Sequence, residues 1–282
     1  MNYKTKYIIF GILKYVVVAL ILFSSLWLFI YIFASSFKPL GEIMTKPKFL
    51  PRNPIIDNYI LLLVSKAPTR NFPLFIANSL ILSLTAAILS GIIATLAAYG
   101  FTRYQYPGKK IIQKALLFTY IFPTIILLVP LYKVFTSLIL LDNYLGLVIV
   151  FTALTSPFCT WILISFFERI PKEIEEAAYV DGASRFQTFI RILLPVSAPG
   201  VMTAATYAFI TNWGEYMFTS IFIRSNMKKT ITLGIVEFTS EQSIEWGRLL
   251  ASSVIVIIPV ILLFLPVSVK FIKGFTAGAV KE

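Results

Sequence analysis

"EEAAYVDGASRFQTFIRILLP", residues 175–195, is the stretch on which the reading of this chain turns. The chain carries only 13 carboxylates in 282 residues, yet five of them, Glu168, Glu173, Glu175, Glu176 and Asp181, fall within fourteen positions here. Pro171, just upstream, can open a helix, because its missing N–H would be unpaired at that position anyway. Glu173, Glu175 and Glu176 then occupy the first turn, where carboxylates complement the helix dipole. Asp181-Gly182 ends that helix, with Gly182 suited to a left-handed cap. Ser184 and Gln187, three residues apart, fit a capping box that opens a second helix. Phe186, Phe189, Ile190 and Leu193 give the second helix a continuous apolar stripe, and Pro195 is expected to stop it. The spacing predicts two short helices joined at a glycine. Ala177 and Ala178 are small enough to let a partner approach the first helix closely, and the surrounding carboxylates offer charged pairing at the rim.

The rest of the chain says where that elbow lies. Apolar residues make up 58% and charged residues 13% of the sequence, with a mean hydropathy of +0.84. A soluble domain carries roughly 25% charged residues, so this chain lacks the polar surface to cover a water-facing core. The uncharged runs 15–37, 72–102, 143–167, 192–214 and 249–269 each reach the ~20 residues that a helix needs to cross about 30 Å of hydrocarbon. Residues 115–141 make a sixth, interrupted by Lys133 and by prolines at 123 and 130. An open sheet cannot satisfy its backbone in lipid. The fold class expected is therefore an all-α integral membrane protein, a single membrane domain over 1–282. Its spans lie near 10–37, 72–101, 115–141, 143–167, 195–223 and 249–269. The apolar part of the first span far exceeds the about 7–15 residues of a secretory signal, so an uncleaved anchor is expected.

Between the spans, 38–71 is a Pro-rich loop, 103–114 ("RYQYPGKKIIQK") a tight basic turn, 168–194 the elbow, and 224–248 a polar loop. An even span count puts both termini on one side, together with the basic turn and the elbow. With that side cytoplasmic, 14 of the 25 basic residues lie inside, a small excess in the direction of the positive-inside rule. The net charge of +12 is spread among loops next to spans rather than gathered on a domain. It matches attraction to anionic membrane lipid and gives no surface for nucleic acid. A first helix resting on headgroups would present Lys and Arg; this one presents Glu, which favours a protein partner.

Glu176-Ala177-Ala178, then Gly182, then Ile192 and Leu194-Pro195 follow the pattern E-A-A-x3-G-x9-I-x-L-P at every fixed position. This resembles the cytoplasmic loop of binding-protein-dependent ABC importer permeases. "AAYGFTRYQYPGKK" (97–110) and "GFTAGAVKE" (274–282) resemble the carbohydrate branch of that family, the maltose-transporter G-type inner-membrane subunits. The resemblance implies docking of Glu176, Ala177, Ala178, Asp181 and Gly182 on cytoplasmic ATPase subunits, two of them in the complex. It also implies a second, homologous permease as heterodimer partner and an extracellular solute-binding protein that meets loops 38–71 and 224–248. It implies a bacterial inner-membrane location with both termini cytoplasmic, and a carbohydrate substrate moved by alternating access.

The chain itself offers no catalytic set. A P-loop needs G-x4-G-K-[ST], and the nearest string, Gly108-Lys109-Lys110, lacks both the upstream glycine and the hydroxyl. ATP and Mg are therefore expected on the partner ATPase and no cofactor on this chain. With no histidine and one cysteine, Cys159, a His/Cys zinc site is excluded. Prolines 123, 130, 157 and 259 inside spans are either packing kinks or linings of a water-filled path. Within the fifth span, "TNWGEYMF" (211–218) holds Glu215, the one carboxylate well inside a predicted span, and an intramembrane ionisable group is a functional candidate. Asn212, Trp213, Glu215 and Tyr216 are candidates for the substrate path; the alternative for Glu215, Asn212 and Tyr216 is interhelical hydrogen bonding that holds the bundle together. A secondary transporter or channel driven by an ion gradient is the rival function. Such proteins show inverted repeats and clustered intramembrane carboxylates, and neither is evident in this sequence.

Overall fold

The computed structural model describes residues 3–45, 48–65, 70–239 and 244–279. Parts of both long loops (46–47, 66–69 and 240–243) and the last residues of the C-terminal motif (280–282) lie outside the described residues. The described chain is all-α, with one isolated bridge between Thr239 and Ile244. The helices run α1 Tyr3–Ser36, α2 Leu40–Thr45, α3 Asp57–Val64, α4 Phe72–Arg103, α5 Lys109–Ile121, α6 Thr124–Ser137 and α7 Tyr144–Phe167. They continue with α8 Glu173–Val180, α9 Arg185–Thr188, α10 Leu194–Trp213, α11 Met217–Phe222, α12 Ile231–Val236 and α13 Trp246–Ala279. Among the described residues, five helical stretches are long and apolar enough to cross a membrane, and a sixth span results if α5 and α6 are taken together. The chain divides into two compact units, residues 1–71 with 235–258 and residues 72–234 with 259–282.

In the first unit, the loop after α1 is fastened by its own polar groups. Ser36 and Tyr59 share a hydrogen bond (2.6 Å), and the Asn58 amide donates to the Ser36 and Lys38 carbonyls. Arg70 pairs with Glu245 at 2.9 Å. The Pro-rich loop 38–71 therefore contains two short helices, α2 and α3.

The second unit is built on α4, α7 and α10. Ser90 and Thr155 share a hydrogen bond (2.7 Å) and Arg103 reaches Phe167 O, so α4 and α7 run parallel. A Cβ on Gly200 would strike Phe166, and Cys159 Sγ donates to Ala204 O at 3.3 Å, so α10 runs antiparallel to α7. The facing stripes are small or hydroxylic: Ala86, Ser90, Ala94 and Ala98 on α4, Ala204 and Ala208 on α10, all buried. Small side chains let helix backbones approach closely where lipid offers no hydrophobic drive between helices. The large aliphatics Ile81, Leu84, Ile88 and Ile92 point outward.

Two expected spans are interrupted. The third does not run straight through 115–141: α5 and α6 meet at 96°. Pro123 forces its predecessor out of the helical region, and Phe122 is extended (ψ 128°). Pro130 and Pro157, by contrast, stay inside α6 and α7. The fifth span does not run through 195–223, because α10 stops at Trp213 and α11 begins at Met217. Its start is also different from expectation. Pro195 stops nothing, and helix runs from Arg185 to Trp213. A wide turn over Phe189–Leu193, in which Leu194 N–H bonds Phe189 O, makes room for the ring.

At the end of the unit away from the elbow, Asp142 (φ 51°) joins two connections. Its Oδ1 accepts from Arg224 N (3.1 Å) and Ser225 N (2.9 Å), and its Oδ2 from Lys228 Nζ (3.2 Å). Partial burial alone would push this carboxyl up; those donors outweigh it and hold it below the ordinary carboxylate range.

Two glycines test the packing by sign. A Cβ on Gly146 would lie far inside contact distance of the Leu140 backbone carbonyl, whereas one on Gly100 meets nothing within 4 Å. Glycine inside a helix is worse than alanine by roughly 0.5–1 kcal/mol. Gly100→Ala is therefore expected to raise, and Gly146→Ala to lower, the thermal midpoint of the detergent-solubilised protein. Equal shifts for the two would contradict this packing.

Candidate coupling elbow and membrane-depth cavity

The elbow forms as its sequence dictates. Helix α8 ends in a Schellman closure, Ala183 N–H to Ala178 O (2.9 Å) and Gly182 N–H to Tyr179 O (3.1 Å), with Gly182 at φ +85°. Ser184 Oγ accepts from Gln187 N (3.3 Å), and Gln187 Oε1 accepts from Ser184 N (2.9 Å). This reciprocal pair starts α9.

What sequence reasoning missed is the anchor beneath the elbow. Glu175 is buried and accepts a charge-assisted hydrogen bond from Arg103 Nε, at the end of α4. The other two arms of the guanidinium donate to Phe167 O (3.1 Å) and Ile170 O (3.2 Å). Carbonyls at a helix C-terminus lack intrahelical donors, so one arginine caps α7, pairs with α8 and terminates α4. Arg185 lies over the Tyr104 ring at 5.9 Å, and a hollow of about 200 Å3 is left among Tyr99, Arg103, Tyr179 and Arg185.

This anchoring decides which elbow residues face out. Glu176, Ala177, Asp181 and Gly182 are exposed, and Ala178 is buried against its own chain. Of the two alanines, only Ala177 can admit a partner. Around it stand Val180, 87% exposed, and Phe186, 73% exposed, apolar groups that sequence reasoning assigned to no partner. Of the apolar stripe on the second helix, Phe189 and Leu193 turn inward and Phe186 and Ile190 outward.

A second feature lies among the helix breaks. A cavity of about 680 Å3 is walled by both arms of the broken α5–α6 span, by α7 and by the break between α10 and α11. Thr119, Tyr120, Thr124, Tyr207, Thr211, Glu215 and Tyr216 supply its polar groups, and leucines, Ile149 and Pro157 much of its apolar wall. Tyr120 stacks on Phe158 at 4.5 Å, and Tyr207 packs on the same ring at 4.5 Å.

The four residues considered for a substrate path are thereby divided. Glu215 and Tyr216 line the cavity. Asn212 and Trp213 are buried and do not line it, and the Trp213 ring stacks on Phe209 at 5.7 Å. Among the described residues, the Glu215 and Asn212 side chains form no hydrogen-bonded pair. Glu215 accepts from Phe218 N (2.7 Å), Thr219 N (3.1 Å) and Thr219 Oγ1 (2.8 Å), so its carboxylate satisfies the first free N–H groups of α11. Tyr120, Thr124 and Tyr207 were missed; the break at Pro123 was a signal for its neighbours Tyr120 and Thr124, and nothing local marks Tyr207.

Comparison with known proteins agrees with this architecture. The family model for the inner membrane component of binding-protein-dependent transport systems matches residues 87–271. The chain is 33% identical over 267 residues to the inner membrane ABC transporter permease protein YcjP of Escherichia coli (strain K12), covering 93% of this chain and 94% of the relative. It is 34% identical over 261 residues to the trehalose/maltose transport system permease protein MalG of Thermococcus litoralis, covering 92% and 91%. Among solved structures, a chain of a bacterial ABC transporter involved in the import of the acidic polysaccharide alginate superposes with a TM-score of 0.80. That match has 24% identity and covers 96% of this chain and 99% of the other, a likeness of fold. The chain is a multi-pass membrane protein and belongs to the family of inner membrane components of binding-protein-dependent transport systems.

Proposed function

We propose that this chain is a permease subunit of an ATP-driven importer of a carbohydrate. The observation that carries the reading is the anchored elbow. Arg103 and Glu175 hold α8 to the ends of α4 and α7, while Glu176, Ala177, Val180, Asp181, Gly182 and Phe186 are left exposed on one segment. Acidic rim, small centre and exposed apolar groups fit a protein socket. The proposed occupant is a cytoplasmic ATPase, one of two in the complex, which puts the elbow and both termini in the cytoplasm. ATP and Mg then act on those partners, because this sequence has no P-loop. The dependence on a binding protein follows the family description. The proposal pairs the chain with a second, homologous permease. It places loops 38–71 and 224–248 on the outer side, facing the solute-binding protein.

The carbohydrate reading is supported by the named sugars of relatives, trehalose/maltose and sulfoquinovosyl glycerol among them. The cavity's chemistry supports it as well: tyrosine rings to stack on sugar faces, with threonine hydroxyls and a carboxylate at the edges. This chain's share of the path is then Tyr120, Tyr207, Glu215 and Tyr216, with Asn212 and Trp213 behind it. Rocking between inward- and outward-open states needs a partner that binds the two differently, by roughly 5.5 kcal/mol to move a population from 1:99 to 99:1. ATP-driven closure of the ATPases, acting on the elbow, is the proposed source.

Gly182 gives the first test. A Cβ there meets nothing of this chain within 4 Å, so within the chain a substitution acts through the positive φ. Gly182→Val, β-branched, is expected to abolish uptake, while Gly182→Asn, which tolerates the left-handed region, retains much of it. Wild-type uptake by the valine variant would refute the elbow's role. In the cavity, Tyr216→Ala is expected to raise the KM for sugar uptake several-fold in a complex that still assembles. Unchanged uptake kinetics would put the sugar path on the partner permease.

A further inference from the structure

Lys38, just past the end of α1, is a buried lysine, 2% exposed. Among the described residues it forms no ion pair. Its Nζ donates to Ser35 Oγ (3.1 Å) and to Lys48 O, and lies 5.0 Å from the centroid of the Tyr31 ring. An ammonium has three donors, so one is left over. A charge taken out of water is costly unless an opposite charge meets it.

Tyr31, Ser35 and Lys38 all line a cavity of about 340 Å3, which therefore has the ammonium in its wall. Glu42 and Trp246 line it as well, and Leu250 adds apolar surface. Glu42 does not neutralise Lys38; its carboxylate accepts instead from Arg52 N (3.0 Å) and Asn53 N (3.1 Å). One cavity thus carries a cation and a carboxylate that are not paired with each other, beside two aromatic rings.

Its place is the edge of the membrane. The apolar span Phe10–Ser36 ends two residues before Lys38, and the span Trp246–Val267 begins at the cavity. Asn58 holds the two ends together. Its amide donates to the Ser36 and Lys38 carbonyls, and a Cβ on Gly247 would strike its Oδ1. Trp and Tyr gather at this level of a bilayer, where headgroups meet hydrocarbon.

We propose that the cavity holds the headgroup of a zwitterionic phospholipid, a phosphodiester joined by two carbons to a primary ammonium. The phosphate takes the remaining N–H of Lys38 and supplies the missing negative charge. The headgroup ammonium meets Glu42, with the Tyr31 and Trp246 faces beside it. Leu28, one turn deeper into the span than Tyr31, is exposed and gives the acyl chains an apolar surface. An anionic lipid without an amine satisfies Lys38 but leaves Glu42 without a cation.

The test uses the full-length protein purified in detergent, titrated with single lipids and read by native mass spectrometry for the first lipid bound. Wild type is expected to bind phosphatidylethanolamine at least about tenfold more tightly than phosphatidylglycerol, the scale of one charge-assisted hydrogen bond. Lys38→Met is expected to weaken phosphatidylethanolamine by a similar factor. Glu42→Gln, which keeps an acceptor for the Arg52 and Asn53 amides, is expected to bring the two lipids level. Equal affinity of wild type for both lipids would overturn the proposal. So would phosphatidylethanolamine binding unchanged in Lys38→Met, or a preference unchanged in Glu42→Gln. If Lys38→Met does not fold, the wild-type order and Glu42→Gln decide the matter without it. Glycerophosphoethanolamine, the same headgroup without chains, separates a lipid from a soluble ligand. It is expected to leave bound lipid in place at equal concentration, and displacement would overturn the lipid assignment in favour of a soluble solute.

Discussion

The buried ion pair between Arg103 and Glu175 is the constraint on which the arrangement of the second unit depends. Both side chains are more than nine-tenths buried, and an unpaired charge there would be strongly destabilising; losing one partner of a buried pair typically costs about 3–5 kcal/mol. The geometry uses three nitrogens of the guanidinium, one on the carboxylate and two on carbonyls at and just beyond the end of α7, Phe167 O and Ile170 O. A lysine could not reproduce that fork. Three elements are thereby fixed to one point, and under the proposed coupling role a push on the elbow would be transmitted to α4 and α7 rather than absorbed in a loose loop.

The core above that point combines small and hydroxylic residues on the facing stripes of α4 and α10 with buried Leu82, Leu147, Phe151 and Leu163, while Ile81, Leu84, Ile88 and Ile92 of α4 are directed outward. Close approach of α4, α7 and α10 makes the scaffold. The cavity comes from where helices fail to continue: at Phe122-Pro123, where the backbone must leave the helical region, and at Gly214, where Glu215 turns from α10 to start α11. The carboxylate that sequence reasoning singled out is thus a structural cap whose residue also lines the space a substrate would cross.

Local features were legible in the sequence because local chemistry determines them. The capping box at Ser184 and Gln187, the left-handed Gly182 and most span positions arise from residue types a few positions apart. Long-range pairings were not legible. Arg103 reads as one basic residue among four in a short turn, and its partner is 72 residues away. Pro195 reads as a stop because sequence spacing does not reveal that the preceding turn widens to accommodate it. The fifth span's break carries no proline, only Gly214 and a carboxylate able to cap the next helix. That Ala177 faces out and Ala178 in depended on how Glu175 is anchored.

If the Arg103–Glu175 anchor carries motion from the elbow to the transmembrane helices, loosening it should uncouple transport from hydrolysis. The quantity to measure is the number of sugar molecules taken up per ATP hydrolysed. It would be made on complexes reconstituted in vesicles with the loaded binding protein present, for wild type, Arg103→Lys and Glu175→Gln. Both variants are expected still to hydrolyse ATP but to move far less sugar per ATP than wild type, because the elbow still docks while its link to α4 and α7 is weakened. An unchanged ratio in both variants would contradict a coupling role for the anchor.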